Sequence, residues 1–250
     1  MHMRLRTDTN SVQLNGDRSG FTVSFPAPGM VAQIQSNLAA TLNIDWLLDV
    51  AIGILADNGL QKSRADLLKN LDEKILAREP AKLLYHPYIS WAGERSPFMD
   101  TSARAMFNGL DTTADYYDMM RSVFEGLAFA SRDCYEVMGP IPQEIRVTGG
   151  AARSKALRLI LASVLNAEIR SVSREECGAG GTAMIAAVQQ KLFPDMAACA
   201  KTWVDPHLGT STKPDAELAA RYNKIFPHYV AARKAMGPIW RGLRGLPKQP

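Results

Sequence analysis

An α/β fold is predicted for this 250-residue chain, and three observations predict it. Ile145 and Val147 alternate with polar neighbours, as in a short strand with one buried face. Gly149-Gly150 then marks a sharp turn, and Leu157, Ile160, Leu161 and Val164 follow at helical spacing before a second strand at Ile169–Val172. The run CGAGGTAMIAAV repeats the theme, with Gly178, Gly180 and Gly181 opening a second small-residue helix. Two glycine turns at the same end of consecutive parallel strands would open onto one crevice, where α/β sheets bind ligands. The first helix would also aim unpaired N–H groups at whatever fills the turn, an end suited to an anion or the polar edge of a nucleotide. A tight βα connection that binds nothing satisfies the same spacing.

In chain order, Val12–Leu14 and Phe21–Phe25 read as strands joined by NGDRSG, so a β-hairpin is expected over 11–25, with Asn15-Gly16 as its turn. Pro26 and Pro28 end the strand in a rigid loop. From Gln35 to Leu55 the chain reads as a helix apolar nearly all round and hence deeply buried, which makes its polar members Thr41 and Asp45 informative. They lie four apart on one face, and a buried carboxylate must find a partner or change its pKa. Ser63–Ala77 reads as one amphipathic helix with Leu67, Leu68 and Leu71 inward. A strand at Leu83–Tyr85 precedes a loop in which His86 is a ligand, a base or a structural group, and Arg95 a fork for an anion or a tie for the loop. Thr112 is placed as the N-cap of a helix over Ala114–Met138 with Met120, Val123, Leu127 and Ala130 inward. After Gln190 a loop containing Phe193-Pro194 leads to a closing helix at Asp215–Met236.

Composition bounds the function. A 46% hydrophobic content buries a full core, and 22% charged residues are ordinary for a soluble globular protein. The apolar stretch Trp46–Leu55 is too short for a membrane span and is broken by Asp49; no apolar leader opens the chain. Three widely spaced cysteines (Cys134, Cys177, Cys199) argue for a reducing compartment, the cytoplasm, and against a zinc site. The formal charge of +4 is concentrated from Arg221 onward, where seven basic residues meet no acidic one. Residues 237–250 are therefore expected to be a basic, solvated tail behind a single domain over 1–236. No zinc-finger, RRM or KH pattern supports nucleic acid.

VTGGAARSKALRLILASVLNAEI followed by GAGGTAMIAAV resembles the nucleotide-binding half of the FGGY family of carbohydrate kinases. NLAATLNIDWLLD, GERSPFMDTSARAMFNGL and YDMMRSVFEGLAFASRDCYEVM extend the resemblance over roughly Gln13 to Met236, and SFPAPGMVAQIQSNLAATLNIDWLLD looks most like the erythritol (polyol) kinase branch. The resemblance implies an actin-like, ribonuclease H-like ATPase domain with a mixed sheet flanked by helices. It implies ATP and Mg²⁺ as cofactors and a sugar or polyol as the second substrate. Backbone at Gly149 and Gly150 would border the adenine and α-phosphate, Ser154 would reach the base, and Thr41 and Asp45 would contact the nucleotide. The family often has Gly and Gln at those last two places. Gly181 would be the small residue whose side chain would crowd the cleft. The family's first phosphate loop, most sugar contacts and catalytic aspartate lie in an N-terminal lobe not found in these 250 residues. No catalytic base is therefore assigned among Asp45, Asp100 and Asp115. The chain is expected to start at an internal methionine, to bind nucleotide weakly if at all and not to phosphorylate alone. The partners implied are nucleotide, polyol and a separate or missing lobe; self-association stays open. Two other readings compete. Gly178-Ala179-Gly180 with Ala183 satisfies G-x-G-x-x-A, the mark of a dinucleotide-binding oxidoreductase. A non-catalytic actin-like interaction module would make the basic tail its working part.

Overall fold

The computed structural model of the protein describes residues 1–14, 16–17, 19–173 and 176–245. It is α/β as predicted, with its strands in three small sheets. The first is antiparallel: β1 (His2–Arg6) and β2 (Phe21–Ser24) flank β3 (Val31–Gln35). The hairpin expected over 11–25 lies elsewhere. β2 turns at Pro26–Gly29, where Gly29 takes φ 71° and Phe25 N–H donates to Met30 O at 3.1 Å, and pairs with β3. Residues 12–14 form no strand, and Asn15 lies outside the described residues. β1 escaped the sequence reading because its amphipathicity is inverted. His2, Arg4 and Arg6 face inward, where the His2 ring packs edge-on against Tyr135 and Arg6 donates to Met138 O. Met3 and Leu5, in register with Ile34 and Ala32 and through them with Phe21 and Val23, lie on the outer face.

Helix α1 (Leu42–Asp57) starts seven residues later than predicted, because Gln35 closes β3. It is not buried all round. Ile44, Leu47 and Leu48 enter the core, whereas Leu42, Trp46, Val50 and Ile54 form an exposed stripe. The single helix expected over 63–77 is two: α2 (Arg64–Leu68), opened by a Ser63–Asp66 capping box, and α3 (Leu71–Leu76), separated by Asn70 at φ 58°. That break leaves Leu68 exposed and buries Leu71 and Ile75.

β4 (Leu84–His86) pairs antiparallel with β5 (Met106–Asn108). The 21-residue helix α4 (Tyr116–Glu136) is the axis of the main core. Its cap is Asp115, in a capping box with Asp118, and not Thr112; the Asp115 carboxylate accepts from the N–H groups of Tyr117 and Asp118 at 2.8 and 3.0 Å. Met120, Val123 and Phe129 are fully buried along it, and Gly126 lets α4 lie against β4, since a Cβ there would strike the Tyr85 carbonyl oxygen.

The second half carries the mixed sheet. β6 (Glu144–Val147) is parallel to β7 (Glu168–Val172) through helix α5 (Lys155–Leu165), the crossover read from the sequence. Ile145, Leu165 and Ile169 bury the joint against Tyr135 and Met138. Helix α6 (Cys177–Gln189) follows, and the loop expected after Gln190 holds helix α7 (Met196–Trp203) and strand β8 (Leu208–Thr212), antiparallel to β7. Helix α8 (Ala216–Gly245) runs nine residues past the predicted stop. Gly237 and Pro238 lie within it, and Trp240, buried against Tyr88 and Phe98, holds the helix on. The boundary at 236 thus falls inside α8. The expected solvated tail is docked through Arg241 to Asp100 at 3.0 Å and Arg244 to Thr101 O at 2.7 Å; residues 246–250 lie outside the described residues.

His86 is structural. It is fully buried, stacks on Tyr229 at 4.2 Å between centroids, and its Nε2–H donates to Tyr229 O at 2.9 Å. Nδ1 has no partner, and burial pushes the imidazole pKa down to about 4. Burial also pushes Asp133 up to about 6, against the opposing pull of Arg233 at 2.8 Å. The two titrations oppose each other. A depressed imidazole costs stability as pH falls from 6.5 toward 4, whereas a raised carboxyl costs it as pH rises from 3.8 toward 6. His86→Asn removes one side of this balance. The variant's deficit relative to the parent should shrink by about 3 kcal/mol between pH 7 and pH 4 in urea unfolding. A deficit constant across that range would mean that His86 is not held neutral.

Candidate nucleotide crevice

The site is built where β6 and β7 end. Gly149 follows β6 at φ 89°, a conformation that strains any side chain, and Gly150 begins a 3-10 turn through Arg153. Among the described residues no other part of the molecule lies within 4 Å of where a Cβ on either glycine would sit, so the bend is open. A cavity of about 600 Å³ lies against it, walled by Gly149, Gly150, Arg153 and Arg158 on one side and by Ser171–Ser173 at the end of β7 on the other. A second cavity, of about 210 Å³, reaches from Thr148, Ala152 and Arg158 across to Ala40 and Thr41 at the start of α1. Ala152 and Arg158 line both, so the two cavities share a wall. The larger has the size of a small-molecule pocket.

The two glycine-rich stretches do meet at one end of the sheet: Thr148 Oγ1 lies 3.2 Å from Cys177 Sγ, the first residue of α6. The second stretch is not a turn, however. Gly178, Gly180 and Gly181 lie within the first turns of α6. The G-x-G-x-x-A pattern is therefore helical and lacks the strand-to-helix turn that a dinucleotide fingerprint requires.

Of the six predicted site residues, Gly149, Gly150 and Thr41 line the paired cavities. Asp45 lies one turn into α1, half-exposed and not deeply buried, 3.7 Å from Arg64, which itself bonds mainly to Asp49. Gly181 is not among the described lining residues of either cavity, and a Cβ there would meet nothing within 4 Å among the described residues, so these do not supply the expected crowding. Ser154 caps α5, accepting from Leu157 N–H at 3.0 Å, and donates its own proton to Asp72 Oδ1 at 2.6 Å. Asp72 Oδ2 accepts from Lys155 N–H at 2.7 Å. The helix end that looked ready for an anion therefore already holds a carboxylate from α3. Asp72 and Arg158 were missed because each acts through a contact made far along the chain. In the sequence one is a surface-like acid of a charged helix and the other a polar residue beside the apolar stripe of α5.

Arg95 ties the loop, donating to Ser36 O and Ser36 Oγ at 3.1 Å each. Among the described residues no three His, Cys, Asp or Glu side chains cluster closely enough to hold a metal ion, and no helix is long and apolar enough to cross a membrane.

Similarity to known proteins identifies the family. Residues 1–190 match the profile of the FGGY family of carbohydrate kinases, C-terminal domain. The chain is 46% identical over 240 residues to the erythritol kinase of Brucella abortus (strain 2308), covering 96% of this chain and 46% of that protein. It is 27% identical over 225 residues to the xylulose kinase of Staphylococcus xylosus, 87% of this chain and 44% of the relative. Among solved structures, the ligand-bound xylulose kinase of Lactobacillus acidophilus superposes with a TM-score of 0.81 at 21% identity, over 96% of this chain and 46% of that one. The xylulose kinase of Rhodospirillum rubrum gives 0.76 at 23% identity, over 96% and 46%. The chain thus spans about half the length of the relatives it matches, and the superpositions show the actin-like fold.

Proposed function

The chain belongs to the FGGY family of carbohydrate kinases, within its C-terminal domain, and from that premise we propose that it is the ATP-binding half of a polyol kinase. The reaction is transfer of the ATP γ-phosphoryl group to a hydroxyl of an erythritol-like polyol. The observation that carries the nucleotide half of this reading is the open Gly149-Gly150 bend facing a 600 Å³ cavity, with Thr41 on the adjoining wall. Identity of 46% to an erythritol kinase favours a polyol over a pentulose.

Such a transfer needs the nucleotide held in line with the acceptor hydroxyl, a metal ion on the phosphates and a carboxylate to take the proton. The residues present fit the first requirement. The glycine bend brings backbone close to a polyphosphate without side-chain bulk. With no acidic cluster among the described residues, Mg²⁺ fits as a passenger on the phosphates and not as a resident of this chain. The proton acceptor and most acceptor-sugar contacts belong to the other half.

ADP or ATP should raise the melting temperature of the chain, and Gly149→Val should abolish the rise without lowering the melting temperature of the unliganded protein by more than a few degrees. The φ of 89° is strained for valine, while no packed neighbour is displaced. A parent chain indifferent to millimolar adenine nucleotide would remove the proposal.

A further inference from the structure

The crevice contains an arginine whose charge no carboxylate answers among the described residues. Arg158 sits one turn into α5, half-buried, on the wall shared by the two cavities. It donates through Nη1 to Ala152 O, in the turn after Gly150, and through Nε to Thr212 Oγ1 of β8 at 3.4 Å. Both partners are neutral, and no carboxylate pairs with it among the described residues. Other arginines of the chain have carboxylate partners: Arg64 with Asp49, Arg170 with Glu144, Arg132 with Glu136. Two of the five guanidinium N–H donors are used, which leaves three for a ligand. The larger cavity carries Arg153 as well and no acidic side chain among its described lining residues.

The nearby helix end cannot do this work. Lys155 N–H and Leu157 N–H at the start of α5 are already bonded to Asp72 and Ser154. A negatively charged ligand in this crevice therefore meets a positive counterpart at Arg158, whose half-buried side chain lines both cavities, whereas Arg153 is exposed and lines one. Resting on the nucleotide-binding reading above, we infer that Arg158 is the residue of this chain that holds the phosphate charge of the bound nucleotide. Its bonds to Ala152 and Thr212 pre-set the guanidinium, so little rotamer freedom is lost when the ligand arrives.

Isothermal titration of the full chain with ADP and with adenosine tests this, in the parent, Arg158→Met and Arg158→Lys. ADP should bind the parent more tightly than adenosine does. Arg158→Met should weaken ADP by roughly ten- to a hundredfold, the scale of hydrogen bonds to a charged group, with adenosine changed less than about threefold. Arg158→Lys, which keeps the charge, should recover part of the loss. Equal weakening of ADP and adenosine by Arg158→Met would make Arg158 a clip for the turn and overturn the inference, as would unchanged ADP binding. Thermal melts of each variant separate this from misfolding: a lost ADP response in a variant melting with the parent supports the inference, and one tracking a large drop in melting temperature for both Met and Lys overturns it. A parent that binds neither adenosine nor ADP would sink the nucleotide reading itself, whereas a parent that binds both with no effect of Arg158 would sink only this inference.

Discussion

Residues 1–250 by themselves are expected to release no ADP from ATP in response to erythritol, and addition of the N-terminal half of the Brucella abortus erythritol kinase is expected to start turnover. The reason is geometric. Among its described lining residues the crevice supplies a glycine bend and two arginines but no carboxylate, and phosphoryl transfer needs a proton acceptor beside the attacking hydroxyl. β1 and β6 are edge strands of their sheets, and both border a cavity of about 180 Å³ whose other walls are Ser131 and Tyr135 of α4 and Leu161 and Leu165 of α5. Edge strands present unpaired backbone donors and acceptors, and an added strand between them would satisfy both rows. Hydrogen exchange should therefore slow in His2–Arg6 and Glu144–Val147 when the second half binds. Erythritol-dependent turnover by the chain alone would defeat this account. So would an active mixture in which those amides exchange as before.

The second large effect concerns stability. Arg121→Met is expected to cost about 3–5 kcal/mol, because it strands a buried carboxylate. Arg121 and Glu125 lie one turn apart inside α4, each almost wholly shielded from water, with Nε 2.8 Å from Oε1. Arg121 also donates to the carbonyls of Ile75 and Arg78 at 3.0 and 2.8 Å, closing the end of α3. Tyr222 of α8 donates to Glu125 Oε1 at 2.8 Å, and Ala81 N–H reaches the same carboxylate at 3.1 Å. The network thus ties α3, α4 and α8 together. Burial already pushes the Glu125 carboxyl upward, against the pull of Arg121 and Tyr222. Losing the guanidinium raises it further. A carboxyl whose folded pKa is raised contributes stability at low pH that is lost as pH rises through that value. The Arg121→Met deficit should accordingly be largest near neutrality and narrow as the solution is acidified. Arg121→Met with Glu125→Leu should be less damaging than Arg121→Met alone, since an apolar pair needs no partner. Urea unfolding at three pH values measures all of this, and a cost under about 1 kcal/mol at pH 7 would show the pair to be dispensable.

Much of the fold was legible in the chain because it is written in local spacing. The β6–α5–β7 unit followed from alternation, a glycine pair and one apolar stripe, and it formed within a residue or so of the predicted bounds. Helix α4 was legible for the same reason. What failed did so for a common cause. β1 was missed because its polar residues face inward, α1 was read as buried although its Leu42–Trp46–Val50–Ile54 stripe is exposed, and α8 outran its predicted stop at Met236 because Trp240 finds a pocket.

The site divides along the same line. Sequence by itself determined that a strand ends in a glycine bend at 149–150 beside a helix start at Ser154, and the family resemblance drawn from those letters brought Thr41 to the same place. Only tertiary structure decided that Asp72 of α3 occupies the end of α5, that Asp45 turns to Arg64, and that Arg158 stands between two cavities with no carboxylate partner among the described residues. Hydrophobic periodicity and glycine torsions are properties of neighbours in the chain, so a sequence displays them. The partner of a charge is chosen by which distant segment the packed core brings within 3 Å of it, and no local pattern contains that choice.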